Sequence, residues 1–300
     1  MIFYMIIEKE KSIIWDREVA KILRSKLTGS AYTEAKKIGK KIQIKKIWYR
    51  SQGHLVVGYM VEPKGKYVKL PCIIYNRGGS GEFGSINLGK LFLALGKMAS
   101  WGYVVIASQY SGNDGGEGKD EMGGSDIKDV LNLYKILQEH PKTDLSRIGM
   151  YGGSRGGMMT YLCLAKVKWI RAAVCVAGLA NLFRQKEKRP EMDSHFKKMF
   201  GGSKRECLNR SAVFWTKKIS KKAPILLMHG SADWRVSPLD SLELSEKLFE
   251  ANIPHKFILF EGADHGLTEF QEEKWKETRD WFDKFLKKGN SLPNLKPHGS

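Results

Sequence analysis

From about residue 42 onward, short apolar runs alternate with stretches in which apolar side chains recur every three or four positions. The runs cover residues 42–49, 54–61, 71–76, 103–107, 147–151, 172–177, 224–230 and 256–260. The first two alternate apolar with polar positions and are joined by Ser51-Gln52-Gly53, which predicts an antiparallel hairpin at a sheet edge. The later runs are short and continuously apolar, as strands covered on both faces must be. Helical spacing occupies residues 87–100, 126–140, 155–165, 239–251 and roughly 270–287. The second of these starts with Ser125 in the capping position and places Ile127, Val130, Leu131 and Tyr134 on one face. Strand and helix in alternation predict an α/β fold: a mostly parallel sheet of about eight strands with helices on both faces. Residues 1–41 read as a helical or mixed N-terminal extension with room for a strand at residues 1–7. Residues 42–288 read as the main domain, and residues 289–300 as a flexible tail of turn-forming composition. There is no internal repeat and no low-complexity tract.

Composition narrows the class. A chain of 300 residues with 42% hydrophobic and 28% charged side chains can close a core without disulfide or metal staples, and is neither disordered nor fibrous. No apolar stretch approaches the roughly 20 residues of a membrane-spanning helix. The apolar first seven residues lack a preceding basic segment and a following cleavage site, so no secretory signal is expected. Cys72, Cys163, Cys175 and Cys207 form no CxxC pair, and the first three lie in apolar runs, which predicts reduced core thiols in a cytoplasmic protein. The net charge is +19, and residues 1–41 and 181–222 together contribute 14 of it. Neither segment holds an aromatic-interleaved RNA-binding pattern or a DNA-reading helix, so no nucleic-acid partner is expected.

The sharpest chemical signal is Gly152-Gly153-Ser154-Arg155-Gly156-Gly157. It follows an apolar strand and opens an apolar helix, the strand–turn–helix setting that a GxSxG nucleophile elbow requires. Gly152 and Gly156 permit the tight packing of such a turn. The Arg155 amide, at the helix N-terminus, faces developing negative charge.

A serine hydroxyl needs a base and an orienting carboxylate. Asp233 lies in the loop after the strand at 224–230 and His265 in the loop after the strand at 256–260, 79 and a further 32 residues beyond Ser154. Both loops open on the carboxyl edge of a parallel sheet, as the elbow does. The other histidines, His54, His140, His195, His255 and His298, read as surface, linker or structural residues. His229 ends a strand but precedes the acid, and is expected to point into the packing. Asp264, adjacent to His265, is poorly placed to meet the imidazole. The third requirement is a set of oxyanion donors, each worth about 3 kcal/mol of barrier, and the glycine-rich loop Arg77-Gly78-Gly79-Ser80-Gly81 can turn its amides toward a site.

Over residues 45–288 the chain resembles the α/β-hydrolase catalytic domain of the prolyl oligopeptidase family of serine peptidases. The resemblance rests on IWYRSQGHLVVGYMVEP, IIYNRGGSGEFG, LASWGYVVIASQYSGNDGGEGKDEMGGSDIKDV, RIGMYGGSRGGMM, APILLMHGSADWRVSP and EGADHGL. It implies Ser154 as nucleophile, Asp233 as orienting acid, His265 as base and Arg77-Gly78-Gly79 at the oxyanion loop. This chain departs from the family in three ways. Only about 41 residues precede the core, where family peptidases carry a large β-propeller. Dipeptidyl peptidases of the family recognise the substrate amine through acidic residues of that domain. Arg77 and Arg155 stand where family peptidases often have tyrosine.

Residues 181–222 follow the strand after the elbow, where such hydrolases insert material over the site. They are expected to form a small basic helical cap. With Arg77 and Arg155 as substrate-binding residues, it would favour an acidic substrate; otherwise it is a solvated basic surface. The reading is a serine hydrolase working through an acyl-enzyme, with the amides of Arg155 and Gly78, next to Arg77, on the oxyanion. It needs no metal and no organic cofactor. An ester is the first expectation for the substrate, a short peptide or aminoacyl amide the second, and an inactive binding module the third. No nucleic-acid or membrane partner is expected, and the sequence leaves a homo-oligomer open.

Overall fold

The computed structural model describes residues 6–66 and 69–299. Its contacts divide the chain into two units, Met1–Asp120 with Ser125–Ser146 and Glu121–Gly124 with Arg147–Ser300. In the first unit, β1 (Ile7–Ile13), α1 (Arg17–Lys26) and α2 (Gly29–Gly39) precede β2 (Ile42–Ser51), β3 (His54–Pro63) and β4 (Leu70–Asn76). Then α3 (Leu88–Lys90), a π-helical turn over Leu91–Gly96 and α4 (Lys97–Ser100) lead to β5 (Val104–Ser108) and α5 (Ile127–Glu139). The strands lie in the order β1-β2-β3-β5-β4, antiparallel except for the parallel pair β4 and β5.

The predicted hairpin is present: β2 and β3 pair in register from Ile42 opposite Pro63 to Ser51 opposite His54. Both turn residues are left-handed, with φ 55° at Gln52 and 84° at Gly53. That geometry matches the twist of the flanking strands. Ile44, Ile47, Val56, Val57, Val61, Ile73, Ile74, Val105 and Ile106 form the buried interior of this unit. At α5 the cap differs from expectation, since Asp126 rather than Ser125 occupies the N-cap and makes no side-chain cap bond. Asp129, one turn in, instead accepts the amide and hydroxyl of Ser111 at 2.8 and 2.7 Å.

Residues before the hairpin are built into this unit. The strand expected at residues 1–7 falls mostly outside the described residues, and the observed strand is the next segment, Ile7–Ile13. Its charged sequence hides it from a hydrophobic pattern. Its side chains pair with β2, Glu10 with Lys45 and Glu8 with Arg50, and a charged outer strand resists edge-to-edge association.

The second unit takes in β6 (Thr143–Gly153) from Arg147 onward, then α6 (Arg155–Lys166) and β7 (Ile170–Val176). The basic stretch at 181–222 is helical, with α7 (Leu182–Lys188), α8 (Glu191–Phe200), α9 (Lys204–Arg210) and two 3-10 turns. After it come β8 (Ile225–Gly230), α10 (Pro238–Glu250), β9 (His255–Phe260) and α11 (Gln271–Phe282). The four strands run parallel in the order β6-β7-β8-β9. Their carboxyl ends are aligned, with Gly153 beside Val176, Val176 beside Met228 and Gly230 beside Phe260. The described strands thus number nine, β1 being the one the pattern did not count. Residues 289–299 carry no regular secondary structure. No described helix is long and apolar enough to cross a membrane.

Candidate active site

Ser154 sits on the turn between β6 and α6 with φ 58° and ψ −124°, a conformation that costs an L-residue about 1–3 kcal/mol and persists only where its surroundings enforce it. The Ser154 amide donates to Val176 O at 2.9 Å, and the Leu179 amide donates to Ser154 O at 3.2 Å. These two bonds clamp the turn to the end of β7. Gly152 is obligatory here, because a Cβ on it would lie 2.1 Å from the carbonyl oxygen of Gly156.

The acid and base loops are tied to each other by backbone. Ser231 donates to Phe260 O at 2.9 Å and Ala232 to Ala263 O at 3.0 Å. Asp233 is 6% exposed and its carboxylate meets four donors. Oδ1 accepts the amides of Arg235 at 2.8 Å and Val236 at 3.0 Å. Oδ2 lies 2.6 Å from His265 Nδ1 and 3.0 Å from His229 Nε2. Burial by itself would push this carboxyl up; the hydrogen bonds from His229 and His265, the His265 charge and the Val236 amide outweigh it and hold Asp233 well below the usual carboxylate range.

The imidazole of His265 is therefore oriented by the predicted acid, and its Nε2 makes no hydrogen bond among the described residues. That is the nitrogen that must take a proton from a nucleophile. The Ser154 hydroxyl is likewise not bonded to it. Ser154, Arg155, Asp233 and His265 share the second unit, whereas Arg77 and Gly78 belong to the first. Asp264 acts within its own loop, where Oδ1 accepts the amides of Gly266 at 2.8 Å and Thr268 at 2.9 Å. Of the remaining histidines, His140 meets Glu62 at 3.2 Å and His255 bonds Ser245 Oγ and Ile253 O.

Two expectations about arginine are corrected. Arg77 is fully buried and its guanidinium donates to the carbonyl oxygens of Gln109, Gly81, Gly78 and Phe83 at 3.1–3.4 Å. It also approaches Asp120 at 3.8 Å and lies over the Tyr110 ring. An arginine so engaged braces its glycine-rich loop and does not reach for an anionic substrate. Arg155 is 2% exposed, so its side chain is equally withdrawn. The basic insert is also partly neutralised. Arg184 pairs with Asp240 and Glu243, Arg189 with Glu191, Lys186 and Lys197 with Asp193, and Arg210 with Glu206. Its helices reach the acid loop, where Gln185 Nε2 donates to Arg235 O at 2.7 Å.

His229 is a neighbour of Asp233 that sequence reasoning set aside. It does point into the packing, being fully buried, and there its Nε2 meets the acid itself at 3.0 Å. The signal was the tight connection His229-Gly230-Ser231-Ala232-Asp233, in which the Asp233 amide turns back to Gly230 O at 3.3 Å.

A serine on a strained elbow, and an aspartate–histidine pair on the neighbouring carboxyl-edge loops of one parallel sheet, define a serine hydrolase of the α/β-hydrolase class. The residues 92–289 match the model of the prolyl oligopeptidase family. The uncharacterized peptidase YtmA of Bacillus subtilis is 32% identical over 220 residues, covering 71% of this chain and 82% of that protein. The chain belongs to the prolyl oligopeptidase family. The human acylamino-acid-releasing enzyme is 25% identical over 223 residues, which cover 68% of this chain and 30% of the enzyme. The solved acylaminoacyl peptidase of Pyrococcus horikoshii superposes with a TM-score of 0.74 at 24% identity, covering 90% of this chain and 46% of that one. The chain thus spans under half the length of these two longer relatives. The expectation that an ester comes first finds no support among these relatives, whose names are those of peptidases and an acylamino-acid-releasing enzyme.

Proposed function

We propose that this chain is a serine peptidase that cleaves a short acylaminoacyl or aminoacyl amide through an acyl-enzyme. The observation that carries the reading is the 2.6 Å contact between Asp233 Oδ2 and His265 Nδ1 on the carboxyl edge that also holds the Ser154 elbow, in a chain of a peptidase family. Ser154 Oγ attacks the scissile carbonyl while His265 Nε2 takes its proton. Asp233 keeps the Nδ1–H tautomer and stabilises the imidazolium. The Arg155 amide, at the start of α6, donates to the oxyanion, a contribution of about 3 kcal/mol to the barrier. His265 then returns the proton to the leaving amine, and water repeats the sequence on the acyl-enzyme.

The test is initial rates of wild type and Ser154→Ala on acetyl-aminoacyl and free aminoacyl p-nitroanilides, with p-nitrophenyl esters of the same acyl groups alongside. The reading expects anilide turnover that Ser154→Ala lowers by about three orders of magnitude or more. Ester turnover with no anilide turnover would return the protein to the esterase reading. Failure of the wild type to label with a fluorophosphonate would remove the hydrolase mechanism altogether.

A further inference from the structure

The acid of the site is held by two imidazoles, and the second belongs to no part of the mechanism above. His229, the penultimate residue of β8, is fully buried. Its Nε2 lies 3.0 Å from both Asp233 Oδ2 and the Val236 carbonyl oxygen, and its Nδ1 lies 2.7 Å from Ser241 Oγ on α10. A carbonyl oxygen only accepts, so Nε2 must carry the proton. Nδ1 then accepts the Ser241 hydroxyl. The ring is fixed at both ends, with its N–H directed at the same carboxylate oxygen that His265 uses.

We propose that His229 is a positioning residue of the hydrolytic site: the line Ser241–His229–Asp233–His265 sets the orientation of the Asp233 carboxylate and the basicity of His265. This rests on Ser154, His265 and Asp233 being the reacting set. An Oδ2 shared between two N–H donors has less negative charge to offer the imidazolium of His265 than one that serves His265 alone. Removing the His229 donor therefore strengthens the Asp233–His265 ion pair and raises the pH at which His265 loses its proton. The lowered pKa of Asp233, for which the His229 hydrogen bond is the first of the lowering causes after burial, ahead of the His265 hydrogen bond, agrees with this geometry. The other charged groups around the line are Arg235 on the acid loop, Asp264 on the base loop, Asp240 on α10 with its partner Arg184, and Arg189, whose guanidinium donates to Arg235 O. None of them donates a side-chain hydrogen bond to Asp233.

The experiment compares kcat/KM across about pH 5 to 9 for wild type, His229→Leu, His229→Gln and Ser241→Ala, on whichever substrate the wild type turns over. In His229→Leu the acid limb is expected to move to higher pH by about half a unit or more. His229→Gln, whose amide can reach the same carboxylate oxygen, returns the limb toward wild type, and Ser241→Ala shifts it less, in the same direction. A folded His229→Leu whose limb stays in place overturns the proposal, since a purely structural role would lower Tm alone. If His229→Leu does not fold, nitrogen-15 spectra of the wild-type histidines decide: a proton on His229 Nε2 supports the proposal and a proton on Nδ1 overturns it. An active Ser154→Ala would instead dispose of the reacting set, a failure separate from any result at His229.

Discussion

Replacing Asp233 by asparagine removes one charge and leaves the shape nearly unchanged, yet the surroundings dictate which way the new amide must face. Oδ1 accepts two backbone amides at 2.8 and 3.0 Å. Turning the amide nitrogen toward them would leave two buried N–H groups unpaired, at about 1–3 kcal/mol each. The amide oxygen therefore stays on that side and Nδ2 takes the place of Oδ2, facing His265 Nδ1 and His229 Nε2 at 2.6 and 3.0 Å in the parent geometry. A donor now confronts ring nitrogens that were donors. His265 answers by shifting its proton to Nε2, which leaves it unable to accept one from Ser154. The expected consequence is a fall in kcat of about 10⁴ at neutral pH, equivalent to about 5 kcal/mol of barrier. The assay is kcat together with the rate of fluorophosphonate labelling, on protein shown by its melting curve to be folded. A folded Asp233→Asn that retains a tenth of wild-type kcat would refute both the tautomer argument and the assignment of the acid.

Gly152→Ala should be far more damaging than one methyl group implies. Its Cβ would lie 2.1 Å from Gly156 O and 2.3 Å from Gly156 C, and neither backbone atom can retreat without opening the elbow. A loss of about 3 kcal/mol in stability and about a hundredfold in labelling rate is expected, and a variant that melts and labels like wild type would show that the turn is not constrained as described. Away from the site, Glu62 accepts Lys142 and Gln43 and meets His140. Burial opposes its ionisation, but bonds from His140 and Lys142 prevail and lower its pKa from 4.5 to about 2. A folded pKa below the unfolded one stabilises the protein above the ordinary carboxylate range, and that stability disappears as pH falls from 4.5 toward 2. Glu62→Gln should therefore lose about 1–2 kcal/mol near neutral pH, discounted because solvent reaches the partners. Its deficit in Tm should shrink as the pH approaches 2; a deficit independent of pH would contradict the linkage.

The strands, the hairpin and the elbow were legible in the chain because each is a local steric or solvation matter. Apolar runs bounded by turn residues leave few other ways to bury side chains, and a glycine two residues before Ser154 is the only residue whose missing Cβ admits the carbonyl of Gly156. The order serine, aspartate, histidine was legible too, because parallel strands place their carboxyl-end loops on one edge. What the sequence by itself determined was therefore the class of fold and which serine, aspartate and histidine stand on the loops at the sheet's carboxyl edge. It could not show that IEKEKSI is a strand, since an outer strand is held by pairing with β2 and not by an apolar pattern of its own. Nor could it show that Arg77 turns inward to four carbonyl oxygens, that the insert's cations meet acids as far away as α10, or that His229 shares the acid with His265. Those features depend on which groups, distant or merely close in sequence, meet in a buried place where every donor must find an acceptor, and only the folded arrangement decides that.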